Sequence, residues 1–240
     1  VVVGEDYEGE AMIKYYYDIE QNSEPWLKLK RGVLTASNIC KILTPAKLEI
    51  SRSTGYLYEF CRQRVDDMPY GDFSTRHTDR GHIEESLALQ IYEAKFGGLK
   101  RCGFVENTKH GFKIGCSPDA LVGDDGGVQV KSFTPNVQFG NIVEDKIEGC
   151  HMLQIQMELF VTERQWWDVV YQSSGTHQIV TRVYPDEAKQ ARIKEACADF
   201  YSRVEIAMQE YRRKIADETR FIPTPPVDGL YNQSVEEMHL

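Results

Sequence analysis

The stretch 115-GCSPDALVGDDGGVQVKSF-133 places the pair Pro118-Asp119 ten residues ahead of a short β-like run, Val128 to Phe133, that carries Gln129 and Lys131. Alternate residues of a strand face the same way. Gln129 and Lys131 therefore project together, while Val128 and Val130 point to an opposite, buried face. The glycine-rich run 123–127 reads as a turn that allows a close hairpin return to CSPDALV, residues 116–122. That return brings Asp119 beside Gln129, so an Asp, an oxygen ligand and a Lys converge at the end of a small sheet. Taken singly, each piece has a plainer reading: Asp after Ser-Pro is a common turn residue, and a strand Lys is a common solvated edge charge.

Together the pieces suit phosphodiester hydrolysis. Mg2+ prefers hard oxygen ligands and is often held by one or two carboxylates plus substrate phosphate. It polarises a phosphoryl oxygen and acidifies water, while a lysine positions that water or offsets charge. On this reading Asp119, Gln129 and the Val130 carbonyl are metal ligands. A nuclease centre of this kind ordinarily has a carboxylate two residues before the lysine, and here that position is Gln129. The site is then a nuclease with a changed ligand, a disabled nuclease, or an accident of spacing.

Outward from this hairpin the period changes. Upstream, 26-WLKLKRGVLTASNICKIL-43 turns at Gly32 and then reads as a helix capped by Thr35 or Ser37, with Ile39, Cys40 and Leu43 inward. Residues 54–65 form a second helix with Leu57, Phe60, Cys61 and Val65 apolar. Residues 78–96 form a third, whose apolar stripe is Ile83, Leu87, Ile91 and Ala94. Residues 100–107 and 112–117 read as short strands. Downstream, 149–162 is helical, 165–173 and 176–184 are strands joined at Ser174-Gly175, and 185–215 is one long amphipathic helix begun by Pro185 and Asp186. This order predicts an α/β or α+β fold with a central mixed sheet flanked by helices. The expected division is a lead-in over 1–24, one domain over 25–215 and a Pro-rich tail over 216–240.

Length and composition agree. A chain of 240 residues with 41% hydrophobic and 27% charged residues suits one large globular domain. It has no run of about 18 uncharged apolar residues, so no membrane span is expected. The acidic start, VVVGEDYEGEAMIKYYYDIE, does not read as a signal peptide. Six cysteines without a C-x-x-C pair read as reduced thiols, without zinc spacing. The net charge of −9 argues against a general nucleic-acid coat, though a basic groove can lie on an acidic protein.

The segments PWLKLKRGVLTAS, RGHIEESLALQIYE, GCSPDALV, VQVK and HMLQIQMELFVT follow one another in the order and near spacing of one family. From about residue 20 to 215 the chain resembles the lambda exonuclease family, the YqaJ-type viral recombinases. The resemblance implies a restriction-endonuclease-like core with a PD-(D/E)XK site. It implies Mg2+-dependent 5′→3′ digestion of one strand of linear duplex DNA, with Mn2+ as a substitute, releasing mononucleotides and leaving 3′ single strands. It also implies a homotrimeric ring, a single-strand annealing protein as partner in phage recombination, and a cytoplasmic setting in a bacterial host. By position, Asp119 matches the central metal ligand, Gln129 the second carboxylate and Lys131 the catalytic lysine. Glu85 matches the helix acid four residues after Gly81, with neighbouring Glu84 as the alternative. Gln154 and Gln156 match a Gln-x-Gln pair, with Gln156 expected nearer the site. Ser37 and Ser117 match hydroxyls that bind a 5′-phosphate, and either Lys30 or Arg31 matches its basic partner. The residues after Lys131, SFTPNVQFGN, lack the basic group that relatives often have there. Trp26, Trp166 and Trp167 read as packing residues rather than base-stacking ones, and no histidine reads as a ligand. Two further readings stand beside the exonuclease: a DNA-end-binding protein impaired by Gln129, and a structure-specific endonuclease.

Overall fold

The computed structural model describes residues 11–65 and 76–224. The first ten residues of the lead-in and the tail from 225 onward lie outside the described residues, as does the side chain of His77. Two sheets hold the strands. In the first, β1 (Ile13–Tyr16), β4 (Phe104–Asn107), β5 (Ile114–Cys116) and β2 (Leu34–Thr35) lie in that order. In the second the order is β3 (Leu99–Lys100), β6 (Ala120–Val122), β7 (Gly126–Ser132), β8 (Trp166–Gln172) and β9 (Ile179–Val183). Each is mixed: β2 runs parallel to β5 and β7 parallel to β8, and the other pairs are antiparallel.

Helices flank both sheets. They are α1 (Glu24–Lys30), α2 (Ile39–Ile42), α3 (Gly55–Arg62), α4 (Arg76–Phe96), α5 (Pro135–Glu144), α6 (Gly149–Thr162) and α7 (Glu187–Ile215). Helix α6 packs against β4 and β5 on one side and β8 on the other, and against α2 and α7. It therefore lies within the main core, with Leu153, Ile155 and Val161 at most 1% exposed. Helix α7 begins where Asp186 accepts a hydrogen bond from the Lys189 N–H, as an N-cap should.

The hairpin carrying Asp119 and Lys131 forms in the expected antiparallel register, Ala120 opposite Val128. Its glycines divide the work differently from the expectation. The turn occupies 123–125, and Gly126 and Gly127 already belong to β7. A Cβ on Gly126 would lie 2.1 Å from Trp166 Cζ2, and one on Gly127 2.4 Å from Trp167 Cζ3. These glycines admit the two indoles of the neighbouring strand, and Trp167 is fully buried, so packing is its role here.

Several expectations are corrected. In 26–43 the main helix is α1, ahead of Gly32; Val33 to Asn38 holds β2 and a 3-10 turn, and α2 is four residues long. Neither Thr35 nor Ser37 caps it: Thr35 Oγ1 accepts from Asn38 Nδ2 (3.0 Å). The lead-in contains β1, which adds a strand to β4. Residues 135–144 form α5, where Pro135 supplies a helix start in a segment that otherwise reads as loop. On α4 the expected stripe is not the packed face: Ile83 is 71% exposed and Ile91 42%, while Ala88, Leu89 and Tyr92 are buried against Val128, Val130 and Val170. The packed face is one residue round the helix, because this close helix–sheet contact takes Ala88 and because the Tyr92 hydroxyl reaches Asp168 (2.6 Å). Val65 is likewise exposed.

Candidate active site

Beyond Val128 the pairing of β6 with β7 ends, and the next outward-facing N–H on that edge belongs to Val130. Asp119 takes it: Val130 N donates to Asp119 Oδ2 at 2.6 Å, and Gln129 Nε2 donates to the same oxygen at 2.7 Å. In an extended strand a residue's N–H and C=O share one edge. The Val130 carbonyl therefore faces the Asp119 side. Asp119 is 6% exposed, and its carboxyl is pushed up to about 7, first by burial and then by the Glu85 carboxylate; the two hydrogen bonds and Lys131 oppose this. Glu85, on α4, is also raised by burial, against Arg101, His82 and Lys131. Arg101 Nη1 lies 3.7 Å from Glu85 Oε1 and donates to the Asp119 backbone carbonyl at 3.1 Å.

The neighbouring acid has another task. Glu84 is buried and accepts from Gln172 Nε2 (3.2 Å) and Ser174 N (3.0 Å), which pins the β8–β9 turn. Of the two, Glu85 is the acid beside Asp119.

Lys131 Nζ donates to Gln154 Oε1 at 2.8 Å, and Gln154 Nε2 donates to Glu158 Oε1 at 2.8 Å. Gln154 is thus the member of the Gln-x-Gln pair that touches the centre. Gln156 is turned away: its Nε2 donates to Tyr184 O and its Oε1 accepts from Asp186 N, each at 2.8 Å. Residues two apart on a helix face in different directions, so the pair cannot serve one site together. Sequence reasoning missed Glu158 and Arg101. The i,i+4 spacing of Gln154 and Glu158 was a signal for the first; nothing local marked the second.

The phosphate-binding candidates gather on the first sheet. Ser37 and Ser117 each follow by two residues the paired Thr35 and Gly115 of parallel β2 and β5, so both leave the same end of adjacent strands. Trp26 Nε1 donates to Ser117 Oγ and to Gly103 O, each at 3.0 Å, and Lys30 Nζ lies 3.5 Å from the centroid of the Trp26 ring. Ser37 Oγ lies 3.2 Å from Thr35 Oγ1. Lys30 therefore joins Ser117 through Trp26, and Arg31 follows it directly at the end of α1. Trp26 is buried with Val33 and Phe104, a packing role that also orients Ser117.

A divalent cation fits this donor set. Asp119 and Glu85 supply two carboxylates, and Gln129 Oε1 is buried without a hydrogen-bond partner. Among the described residues no three His, Cys, Asp or Glu side chains form a metal-binding group. The balance of two acids and neutral oxygens suits a hard cation that shares its shell with phosphate.

The family model of the YqaJ-like viral recombinase domain matches residues 25–165, and the chain belongs to that family. Among solved structures, an alkaline exonuclease, LHK-Exo from Laribacter hongkongensis, superposes with a TM-score of 0.71 at 26% identity, over 81% of this chain and 98% of that one. The same enzyme in complex with dAMP gives the same values. A phage-related exonuclease from Haemophilus somnus 129PT shares the fold, with a TM-score of 0.53 at 13% identity over 77% of this chain and 98% of that one. No curated protein gives a significant match. The fold is the restriction-endonuclease-like one that the resemblance implied, and membership in this family supports a DNA exonuclease role. Among the described residues no helix is long and apolar enough to cross a membrane.

Proposed function

We propose that the chain is a Mg2+-dependent exonuclease that digests linear double-stranded DNA in the 5′→3′ direction, releasing mononucleotides and leaving 3′ strands for recombination by annealing. The observation that carries this is the convergence of Asp119, Gln129 and Lys131 on one edge of the β6–β7 hairpin with Glu85 beside them. Asp119, Glu85, Gln129 Oε1 and the Val130 carbonyl would hold the cation. Mg2+ or Mn2+, when bound, supplies Lewis-acid polarisation of the phosphate and acidifies water. Lys131 offers three N–H donors and a positive charge for the charge that builds on the scissile phosphate. Ser37, Ser117 and either Lys30 or Arg31 suit a terminal 5′-phosphate, which favours an enzyme that recognises ends over an endonuclease. A relative at 26% identity binds dAMP, a deoxynucleoside monophosphate, in keeping with mononucleotide release. The family resemblance extends the proposal to a homotrimeric ring around DNA, a single-strand annealing partner and a bacterial cytoplasmic setting.

A second reading, a weakened nuclease that holds DNA ends, is favoured by one contact. The Gln129 amide offers Asp119 its nitrogen, not its oxygen, so ligation requires the amide to turn. Glutamine also brings no charge. The test compares the native chain with Gln129→Glu on 5′-phosphorylated linear duplex and on closed circles, across Mg2+ concentrations and in EDTA. Both forms should digest linear DNA in Mg2+ and leave circles intact, with Gln129→Glu needing less metal. Digestion of circles overturns the exonuclease reading. Failure of both forms to cut removes the metal-site assignment, and equal activity at limiting Mg2+ removes Gln129 from the ligand set.

A further inference from the structure

Beneath the nuclease centre three residues stand in series, Lys131 from β7 and Gln154 and Glu158 from α6. Lys131 Nζ donates to Gln154 Oε1, and Gln154 Nε2 donates to Glu158 Oε1, both at 2.8 Å. Glu158 is 1% exposed, yet its second oxygen, Oε2, is buried with no hydrogen-bond partner. A carboxyl group so placed works against folding, because burial disfavours its charge and one oxygen goes unsatisfied. Its own acidity reflects this: burial pushes it up to about 8, against the Gln154 bond and Lys131. The groups that bear on it are Lys131 on β7, Asp119 ahead of β6 and Cys116 on β5. No arginine or lysine forms an ion pair with it among the described residues. A group that costs stability and has no structural partner beyond one amide is a candidate for function.

The amide of Gln154 explains what that function is. A glutamine amide is nearly symmetric in shape, so packing alone does not choose which end faces Lys131. An ammonium needs the oxygen; the NH2 end would set donor against donor. Glu158, an acceptor on the opposite side, makes the choice by taking the NH2. We propose, on the reading of this site as a nuclease centre, that Glu158 is a positioning residue that locks the Gln154 amide with its oxygen toward Lys131 and thereby fixes the lysine ammonium in the active centre. The sequence makes this arrangement local: residues four apart on α6 share a face, and β7 presents Lys131 to that face. Glu158 touches neither the metal ligands nor, by its burial, the DNA.

The experiment uses Glu158→Leu, Glu158→Gln, Gln154→Met and the double variant Gln154→Met/Glu158→Leu, in the full chain. Two readouts are taken. One is kcat and KM on 5′-phosphorylated linear duplex. The other is the rate at which Lys131 is acylated by an acid anhydride in the metal-free protein, followed by peptide mass spectrometry. Glu158→Leu is expected to melt no lower than the native chain, since it removes a buried carboxyl group. Its kcat should fall about tenfold or more with KM little changed, the loss typical of an outer-shell partner. Its Lys131 should acylate several-fold faster. Glu158→Gln keeps an acceptor for the Gln154 NH2 and should restore both readouts. Gln154→Met, at a half-buried position, should match Glu158→Leu, and the double variant should be no worse than either. An unchanged Lys131 acylation rate in Glu158→Leu overturns the proposal, as does a Glu158→Gln variant as impaired as Glu158→Leu. If no form cuts DNA, the exonuclease reading fails, while the acylation rates still decide whether Glu158 positions Lys131.

Discussion

Helices α4 and α6 both bring an acid to the same centre, Glu85 from one and Glu158 from the other, but they live in different surroundings. Helix α6 lies between the two sheets, and eight of its side chains, from Leu153 to Thr162, are buried. Helix α4 lies on β7 and β8, buries Ala88, Leu89 and Tyr92, and shows Ile83, Leu87 and Ile91 to the outside. The same kind of periodic pattern therefore carries opposite meanings. In an enclosed helix every polar residue must have a partner or a purpose. In a helix on one face of a sheet, an apolar stripe need not be the core face, since the packed face is chosen by shape and by polar anchors such as the Tyr92–Asp168 bond.

Truncating the two helices tests that contrast most strongly. Ile155→Ala, at a fully buried site, should destabilise by about 2–5 kcal/mol, whereas Ile83→Ala should change stability by no more than about 0.5 kcal/mol. Urea unfolding of both variants measures the difference. Comparable losses would mean that the Ile83 face is covered by a partner.

The Gln-x-Gln pair divides α6 itself. Gln156→Leu removes the hydrogen bonds to the Tyr184 carbonyl and the Asp186 N–H at the start of α7, and since neither residue is buried the loss should be about 0.5–1.5 kcal/mol for each bond. Its activity per folded molecule should be native. A stable but inactive Gln156→Leu would return Gln156 to the centre and break the division.

On α4 the two adjacent acids should separate the same way. Glu84→Gln weakens the hold on Gln172 and Ser174 and should lower stability by about 1 kcal/mol, leaving Mg2+ affinity unchanged. Glu85→Gln should weaken Mg2+ binding in calorimetry while the fold stays intact. The reverse pattern would exchange their roles.

A further effect is in pH. The Glu158 carboxyl rises from an ordinary 4.5 to about 8 on folding, so the folded chain binds its proton more tightly than the unfolded chain. Its contribution to stability is full below about pH 4.5 and is lost as pH rises through about 8. Asp119 acts with the same sign, its contribution lost through about 7. In EDTA, the melting temperature should fall between those limits, and Glu158→Gln should flatten the upper part of the fall. An unchanged profile would mean that the Glu158 carboxyl titrates alike in the folded and the unfolded chain.

Much of the centre was legible because it is local. Asp119, Gln129 and Lys131 lie within 13 residues on one hairpin, and the period of two puts the last two on one face. Glu85 followed from its family position. The exchange of Gln154 for Gln156 was not legible, since both lie on one helix and only the rotation of α6 between its neighbours settles which amide meets Lys131. Strand β1 was missed because it is a four-residue run in an acidic lead-in, and helix α5 because Asn136, Gly140 and Asn141 are weak helix formers; the partners of both are distant, Asn107 for Ile13, and Tyr171 and His177 for Gln138.

By itself, then, the sequence determined the order of most elements, the hairpin with its Pro-Asp and Lys, and membership in a nuclease fold, all of which depend on short-range geometry and motif spacing. The tertiary structure alone decided which helix faces are buried, which of two neighbouring acids and which of two glutamines serves the centre, and that a buried Glu158 stands beneath Lys131. Those outcomes depend on how α4 and α6 are rotated against the sheets. That rotation is set by the fit of distant side chains, which no local pattern encodes.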